Sequence, residues 1–291
     1  MGETTKRIRA ACGQATPIAV DGPKLTALSD GYLDLDLSRF PNVARGIGDD
    51  LALADGQDLN DLTVSVNCFL IETDGRVCLV DAGDSNRRGP FLGHLRAALK
   101  QAGYAPEDVT DVLMTHLHGD HAAGLFEDGK LLCPNANLHV AREEEAFWRD
   151  RSRQDEIQAT VQPIAEAALD AYRDRLVRIE PGETVAPGVV AKALPGHTPG
   201  QVGFQMGEHD PVLICADALH LPALQVRFPE WGFLFDADGP KAHETRVALM
   251  REVAKSGVRL AGAHIPYPGV IRLFERRDGA RLRAGRRLTS T

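Results

Sequence analysis

The chain has 291 residues, of which 43% are hydrophobic and 25% are charged, an ordinary balance for a globular protein. Its formal net charge of −8 at pH 7 argues against a surface built to bind nucleic acid. No run approaches about 18 consecutive apolar residues, so neither a membrane-spanning helix nor a membrane partner is expected.

Residues 1–24 are predicted to be a poorly ordered lead-in. Their basic run is not followed by an apolar stretch, so no secretory signal is predicted. The chain has five cysteines, which are widely spaced and form no CxxC pair. This usage is typical of reduced thiols buried in strands, and a cytoplasmic location is therefore the expectation.

The first predicted elements are strands. Leucine alternates with acidic residues over residues 33–37, which is the period of a half-buried strand. Residues 38–61 are rich in Gly, Asp, Asn and Ala, and predict a loop. The apolar runs 63–73 and 76–81 flank the pair Asp74-Gly75, which predicts a β-hairpin with a two-residue turn.

Beyond residue 90, helices and strands alternate. Apolar residues at helical spacing predict a helix over 91–99, which Gly103 ends. Further helices are predicted over 142–176, with a break near Pro163, and over 240–256. The remaining apolar runs predict strands at residues 109–114, 138–141, 189–194, 201–206, 212–216, 258–263 and 270–274.

This order of elements predicts an α/β fold. No internal repeat and no low-complexity linker divides the sequence, so a single domain with two sheets and outer helices is expected over residues 25–277. Residues 278–291 are expected to form an exposed basic tail, because they are rich in arginine.

The segment 111–125, DVLMTHLHGDHAAGL, carries four ligand-type residues where an apolar strand ends. Residues two apart at a strand end point the same way, so His116 and His118 can bind one cation. Asp120 and His121 follow in the next turn and are expected to face a second position. Imidazole nitrogen and carboxylate oxygen suit zinc and its first-row neighbours. The alternative, a histidine-rich surface loop, is disfavoured by the strand end and the small residues that follow.

Three more candidate ligands follow strands. His197 lies in the turn LPGHTPG, Asp217 ends the strand VLICAD, and His264 ends the strand VRLAGAH. Each of them alone would more often be a structural residue. However, ligand sites of α/β proteins form at the carboxyl ends of strands, so the three are expected to join the histidine cluster.

The order of these residues resembles the metallo-β-lactamase-fold superfamily, with THLHGDH as its HxHxDH signature. The resemblance covers roughly residues 60–275 and implies a four-layer αβ/βα sandwich of two mixed sheets with outer helices. It implies two sets of metal ligands and a bridging carboxylate: His116, His118 and His197 in one set, Asp120, His121 and His264 in the other, and Asp217 between them. Asp81 would be a structural residue behind the site.

This ligand set implies two divalent metal ions, with zinc as the expected metal and manganese, cobalt or iron as alternatives. Two cations about 3.5–4 Å apart can share a water and turn it into a hydroxide nucleophile near neutral pH. Asp120 would orient that hydroxide. No G-x-S-x-G elbow and no phosphate-binding loop occurs in the sequence. The prediction is a dinuclear metal-dependent hydrolase, and the resemblance implies a homodimer.

The segment after Asp217, together with GAHIPYPGV, resembles the methyl parathion hydrolase branch, whose close relatives are acyl-homoserine lactonases. The resemblance implies a small uncharged substrate: an aryl ester, a lactone or an organophosphate triester. The first alternative is ring opening of N-acyl-homoserine or other lactones. In many of those lactonases a Tyr lies three residues after the bridging Asp, whereas His220 stands there in this chain. His220 could donate a proton to the leaving group, or could be a structural imidazole.

Aromatic residues are scarce, with two Trp, four Tyr and ten Phe, yet six of these 16 lie in two short segments, residues 147–148 and 228–235. One interpretation is an apolar wall of the substrate pocket. Its predicted members are Phe147, Trp148, Phe228, Trp231 and Phe233. The alternative for residues 228–235 is a buried strand, because the aromatic residues there recur with a period of two.

Two remoter alternatives remain from the sequence. A glyoxalase II-like thioesterase would be expected to place basic residues for glutathione in a C-terminal segment. A non-enzymatic metal-binding protein would be expected to lack one or more of the ligands, and all seven are present here.

Overall fold

The structure is a computed structural model that describes residues 2–43, 46, 50, 56, 57, 60–152, 156–275 and 282–285. Within these residues the helices are, in chain order, α1 Glu3–Arg9, α2 Leu95–Gln101, α3 Gly119–Ala122, α4 Arg142–Arg149, α5 Glu156–Ala171, α6 Pro222–Gln225 and α7 Gly239–Ser256. No helix in this part of the chain is both long enough and apolar enough to cross a membrane.

The strands form two groups, and the second group follows the first along the chain. The first group is β1 Ala15–Ile18, β2 Lys24–Leu35, β3 Leu62–Thr73, β4 Arg76–Val80, β5 Asp111–Leu113, β6 Phe126–Glu127, β7 Lys130–Leu131, β8 Asn137–Ala141 and β9 Leu176–Ile179. The second group is β10 Thr184–Ala186, β11 Val189–Ala193, β12 Val202–Met206, β13 Val212–Ile214, β14 Arg259–Ala261, β15 Val270–Glu275 and β16 Leu282–Gly285. One seven-stranded sheet has the order β1-β2-β3-β4-β5-β8-β9, the other runs from β10 to β16 in sequence, and β6 pairs with β7 alone.

The layers of the fold follow from three clusters of buried apolar side chains. One cluster joins the inner faces of the two sheets, one joins the first sheet to α2, α4 and α5, and one joins the second sheet to α7. Strand β3 shows how the sequence achieves this, because successive side chains of a strand face opposite sides. Its Phe69 and Ile71 belong to the cluster between the sheets, and its Cys68 and Leu70 to the cluster under the helices. The predicted α/β sandwich of two mixed sheets with outer helices is confirmed.

The predicted hairpin is present, with β3 and β4 paired in antiparallel fashion from Thr73 opposite Arg76. Its turn residues Asp74 and Gly75 have φ values of 44° and 77°. Positive φ at both turn positions matches the right-handed twist of the flanking strands, which explains why an Asp-Gly pair stands there.

Parallel pairing brings the candidate ligands to one edge of the sandwich. Strands β4, β5, β8 and β9 run parallel in the first sheet, and β13 and β14 run parallel in the second. The carboxyl ends of parallel strands meet at the same edge, so the residues that follow β4, β5, β13 and β14 are close in space.

The prediction of a poorly ordered lead-in over residues 1–24 is wrong. Helix α1 buries Ile8, which is 1% exposed, and β1 pairs antiparallel with β2 as the edge of the first sheet. The Arg9 guanidinium also donates to the carboxylates of Asp34 and Asp61, at 2.8 Å each. Buried apolar surface and ion pairs thus attach this segment to the domain, which begins before residue 25.

Two other boundaries differ from the prediction. Helix α4 ends at Arg149 and residues 150–152 are not helical, whereas Pro163 lies inside α5. The predicted tail over 278–291 contains β16, which pairs antiparallel with β15 and extends the second sheet. The rest of that tail, and much of the predicted loop over 38–61, lies outside the described residues.

Candidate metal centre

The structure brings all seven predicted ligands together at the carboxyl edge of the strands, and His220 joins them. Six of the seven are buried, and Asp120 is the partly exposed one. Their ligand atoms form four overlapping groups, and within each group these atoms lie within 4.8 Å of one another. The groups are His116, His118 and His197; His116, His121 and Asp217; Asp120, His121 and His264; and His197, Asp217 and His220.

Asp217 lies at the centre of the cluster. Its Oδ2 is 3.1 Å from Nε2 of His264, 3.1 Å from Nε2 of His220 and 3.3 Å from Nε2 of His197. Its Oδ1 is 3.1 Å from Nε2 of His121. One carboxylate therefore contacts histidines of both predicted ligand sets, which is the geometry that a bridging ligand requires.

Hydrogen bonds on the outer side of the cluster orient four of the five predicted histidine ligands. In each of these four, Nδ1 faces a protein oxygen, and Nε2 is left to face the centre. The partners are Thr115 Oγ1 for His116 at 3.1 Å, Asp81 Oδ2 for His121 at 2.8 Å, Asp236 Oδ1 for His197 at 2.9 Å, and the Ser65 carbonyl for His264 at 2.9 Å.

The histidine nitrogens that face the centre of the cluster show whether these residues can bind metal ions. Nε2 of His116 is buried and has no hydrogen-bond partner among the described residues, and Oδ2 of Asp217 is 3.9 Å away, beyond hydrogen-bond distance. Buried polar atoms are normally satisfied, so this atom requires a partner other than the protein. Imidazole nitrogens that converge on a carboxylate form a donor set typical of zinc and related metals. The residues present therefore fit a pair of divalent cations.

The pKa values of the candidate ligands are shifted in different directions. Burial would lower the pKa of His121, His197 and His264, but Asp217 outweighs it and raises these values, that of His197 to about 9, so a cation must displace protons from these rings. Burial and the neighbouring His197 lower the pKa of His118 to about 3. Burial alone would raise the pKa of Asp217, but His264 and His121 outweigh it and hold that pKa well below its usual range. A neutral imidazole and an ionised carboxylate are the forms that bind cations.

Asp81 lies behind His121, as the resemblance implied. Its carboxylate accepts the backbone N–H and the hydroxyl of Thr115, both at 2.8 Å, in addition to facing His121. Asp81 therefore connects the residue after β4 to the residues after β5. Its role in the site remains a prediction that mutation tests.

A cavity of about 440 Å³ opens onto the cluster. Besides the candidate ligands and His220, its wall contains seven apolar side chains and the charged residues Asp34, Asp36, Arg39 and Arg88. The apolar lining residues are Leu33, Leu35, Val64, Val161, Ile164, Phe233 and Phe235. The ring of Phe233 stacks on that of His220, with centroids 4.0 Å apart and planes 29° apart.

Four of the five predicted pocket residues do not line this cavity. Trp148 is 1% exposed and its indole N–H donates to Glu144 at 2.6 Å, and its neighbour Phe147 is buried in the same core. Phe228 and Trp231 stack on each other at 4.3 Å and pack in a separate cluster. The reason is local: residues 228–235 form no strand, so a period of two does not decide which of their side chains face the cavity. Of the five, Phe233 lines the cavity, and Phe235 of the same segment lines it too.

Three residues of the site were missed from the sequence. Glu144 joins the ligand loops, because it accepts the backbone N–H of Leu117 at 2.9 Å and the hydroxyl of Thr198 at 2.5 Å. Asp236 faces His197, and Gln158 faces His118. Glu144 could not be singled out from the sequence, because it is one of three consecutive glutamates. Asp236 could have been noticed, because it is an isolated acidic residue beside an aromatic segment.

Comparison with curated proteins gives relatives of modest similarity. YobT, an uncharacterized protein of Bacillus subtilis, is 30% identical over 158 residues, a match covering 54% of this chain and 63% of YobT. An N-acyl homoserine lactonase of Bacillus sp. is 28% identical over 180 residues, covering 54% of this chain and 65% of that protein. The chain thus spans less than two thirds of the length of these relatives.

Solved structures match over nearly the whole chain. AidC, a dizinc quorum-quenching lactonase, matches with a TM-score of 0.87 and 22% identity, covering 96% of this chain and 99% of AidC. AbOPH, a hydrolase in the beta lactamase superfamily, matches with a TM-score of 0.88 and 26% identity over the same shares of the two chains.

A family model described as the metallo-beta-lactamase superfamily matches residues 62–264. The matched range contains all seven candidate ligands and most of both sheets. The resemblance seen in the HxHxDH segment is therefore confirmed, and the chain belongs to the metallo-β-lactamase superfamily.

Proposed function

We propose that the chain is a metal-dependent hydrolase that holds two divalent cations and cleaves small uncharged esters, with lactones as the first candidates. The observation that carries this proposal is the position of Asp217, whose carboxylate contacts His121, His197 and His264 at once. The two sites would be formed by His116, His118 and His197, and by Asp120, His121 and His264, with Asp217 shared. Two cations held by these residues would lower the pKa of a bound water and polarise a carbonyl oxygen.

Asp120 is suited to orient the attacking water. Its side chain is 17% exposed, against 3% for Asp217, so its carboxylate faces the cavity. Burial would raise its pKa, but His121 and His264 outweigh that effect and keep the pKa below its ordinary value. An ionised carboxylate accepts hydrogen bonds only, so it holds a water with its lone pairs directed away from Asp120 and toward the substrate.

His220 is suited to contact the leaving oxygen. Its ring lines the cavity, packed between Phe233 and His264, with centroid distances of 4.0 Å and 5.3 Å. Nδ1 of His220 has no hydrogen-bond partner within the described part of the chain. Burial lowers the pKa of His220 to about 4, so the ring is neutral near pH 7, and we propose that it donates a hydrogen bond to the oxygen that leaves.

Two observations support lactones among the ester-type candidates. Proteins named N-acyl homoserine lactonase and dizinc quorum-quenching lactonase are among those similar to this chain. Seven apolar side chains line the cavity, which suits an uncharged substrate. Aryl esters and organophosphate triesters fit the same wall, and His220 in place of the lactonase Tyr keeps them as candidates.

A substrate panel tests the proposal. Metal-replete protein is assayed with acyl-homoserine lactones, a simple lactone, 4-nitrophenyl esters, methyl paraoxon, a glutathione thioester and a cephalosporin. We expect hydrolysis of lactones or aryl esters that a chelator abolishes and added zinc restores. Elemental analysis of the purified protein identifies the metal, and sedimentation tests the predicted homodimer.

Variants test whether the measured hydrolysis takes place at the candidate metal centre. Asp120→Ala and His197→Ala should reduce turnover by orders of magnitude, because each removes a proposed metal ligand from the cluster. His209→Ala replaces an exposed histidine outside the cluster and should leave turnover unchanged. Turnover of the thioester alone would favour the glyoxalase II-like alternative, and no hydrolysis of any substrate would contradict the proposed class.

A further inference from the structure

Gln158 on α5 connects a candidate ligand to the cavity wall. Its Oε1 is 3.0 Å from Nε2 of His118, and its Nε2 donates to the carbonyl of Phe235 at 3.1 Å. The side chain is 4% exposed, so water does not compete freely for these bonds. One buried amide therefore contacts both the metal centre and the aromatic segment.

His118 is oriented differently from the other candidate ligands. Whereas the other four histidines turn Nδ1 outward, His118 turns Nε2 outward to Gln158 and Nδ1 inward, 2.8 Å from Nε2 of His197. The rings of Trp148 and Phe235 stand edge to face with His118, at 5.6 Å and 6.1 Å, and offer no strong acceptor. Gln158 supplies the acceptor that the outward nitrogen needs.

The Phe235 carbonyl, at one end of this chain of hydrogen bonds, determines which atoms donate and which accept. The Phe235 carbonyl can only accept, so the amide must turn its NH₂ group to Phe235 and its oxygen to His118. Since an amide oxygen can only accept, Nε2 of His118 must carry the proton. Nδ1 is then left with a lone pair directed at the centre of the cluster.

We infer that Gln158 is a positioning residue, which makes His118 present Nδ1 to the cation it shares with His116 and His197 and which ties that ligand to the position of Phe235. The inference rests on the proposed metal centre. It follows that the cavity wall and the metal centre are coupled through α5, because Phe235 lines the cavity. A substrate that displaces Phe235 would therefore also change the position of His118.

Two substitutions separate the two bonds. Gln158→Met removes the acceptor for His118 and the donor for Phe235, whereas Gln158→Glu keeps an acceptor for His118 and loses the donor. We expect Gln158→Met to weaken metal binding by about 10–100-fold, the usual effect of removing the partner of a ligating histidine. Gln158→Glu should stay near the parent affinity, and both variants should raise KM for bulky esters more than they lower kcat.

Metal affinity is measured by competition with a chelator, and the visible spectrum of the cobalt-loaded protein reports the ligand geometry. Gln162→Met is the matched control, because Gln162 lies one turn further along α5 and donates to the Trp148 carbonyl at 3.0 Å without contacting a ligand. Gln158→Leu is measured beside Gln158→Met, so that a folding defect of one replacement does not decide the result.

The inference is overturned if Gln158→Met and Gln158→Leu bind metal as tightly as the parent, or if Gln162→Met loses as much affinity as they do. A parent protein that binds no divalent metal would overturn the proposed centre and this inference together. A parent that binds two ions but hydrolyses no ester would contradict the proposed reaction alone, since the affinities still decide the role of Gln158.

Discussion

Oδ2 of Asp81 lies 2.8 Å from Nδ1 of His121, so the residue that follows β4 contacts a candidate ligand in α3, the short helix that follows β5. The backbone of Asp81 has φ 57°, in the left-handed region that Asp and Asn adopt more readily than most other residues. Asp81 is 3% exposed, so its contacts with His121 and Thr115 are made away from water. Aspartate therefore suits position 81 for two reasons: it tolerates the left-handed backbone conformation, and its carboxylate accepts a hydrogen bond from His121.

Asp81→Asn should weaken metal binding by about 10–100-fold. Asn tolerates the left-handed backbone, so the change isolates the loss of the carboxylate. If the amide oxygen continues to accept from the Thr115 N–H, its NH₂ group faces Nδ1 of His121, which must then become an acceptor and move its proton to Nε2. Chelator competition measures the effect, and an affinity equal to that of the parent would contradict the assigned orientation of His121.

Glu144→Ala should lower the free energy of unfolding by about 3 kcal/mol or more, because it leaves three buried donors unpaired at about 1–3 kcal/mol each. These donors are the N–H of Leu117, the indole of Trp148 and the hydroxyl of Thr198. Glu144→Gln should cost less, since the amide oxygen retains two of them. Urea unfolding measures both, with the exposed Glu143→Ala as the control; an equal effect of the two alanine variants would refute this role.

The candidate ligands could be predicted from the sequence because each one directly follows an apolar strand or begins the next turn. Strand identity is readable from periodicity, and the ends of parallel strands meet at one edge. The positions of His116 and His264 were therefore determined by local pattern alone. The same reasoning failed for α1 and β1, since the short strand Ala15–Ile18 contains a proline and shows no clear alternation.

The pocket could not be predicted because residues 226–238 have no regular structure to which a period applies. Trp231 and Phe233 are two residues apart, yet one packs on Phe228 and the other on His220. Which ring faces the cavity depends on tertiary hydrogen bonds, such as the one that the buried Arg246 donates to the Pro229 carbonyl at 2.8 Å. Such contacts between distant segments leave no trace in local sequence pattern.

Phe233→Leu and Trp231→Phe should affect different properties, the first KM and the second stability. Phe233 lines the cavity and stacks on His220, so its replacement should raise KM for bulky esters several-fold and leave stability nearly unchanged. Trp231 is 5% exposed and packs with Leu37 and Phe40, so its replacement should lower stability by roughly 1–3 kcal/mol and leave KM unchanged. Steady-state kinetics and urea unfolding of the two variants test this division; a raised KM for Trp231→Phe alone would contradict it.

Asp111 at the start of β5 should make stability depend on acidic pH. Its carboxylate pairs with the Arg76 guanidinium and lies 2.7 Å from Nε2 of His139, at the end of β5 remote from His116. Burial would raise the pKa of Asp111, but His139, Arg76 and Thr110 outweigh it and hold the pKa below its ordinary value of about 4. Because the folded pKa is the lower one, the stabilisation is present above about pH 4 and is lost as the pH falls through the folded value.

Asp111→Asn should therefore lower the free energy of unfolding at pH 7 by roughly 1–3 kcal/mol, since it leaves Arg76 and His139 without their buried partner. The difference from the parent should shrink as the pH falls below about 4, because Asp111 of the unfolded parent is then protonated before that of the folded parent, which favours unfolding. Urea unfolding from pH 7 to pH 3 measures it, with the exposed Asp128→Asn as the control. A difference that stays constant over this range would show that the charge of Asp111 does not stabilise the fold.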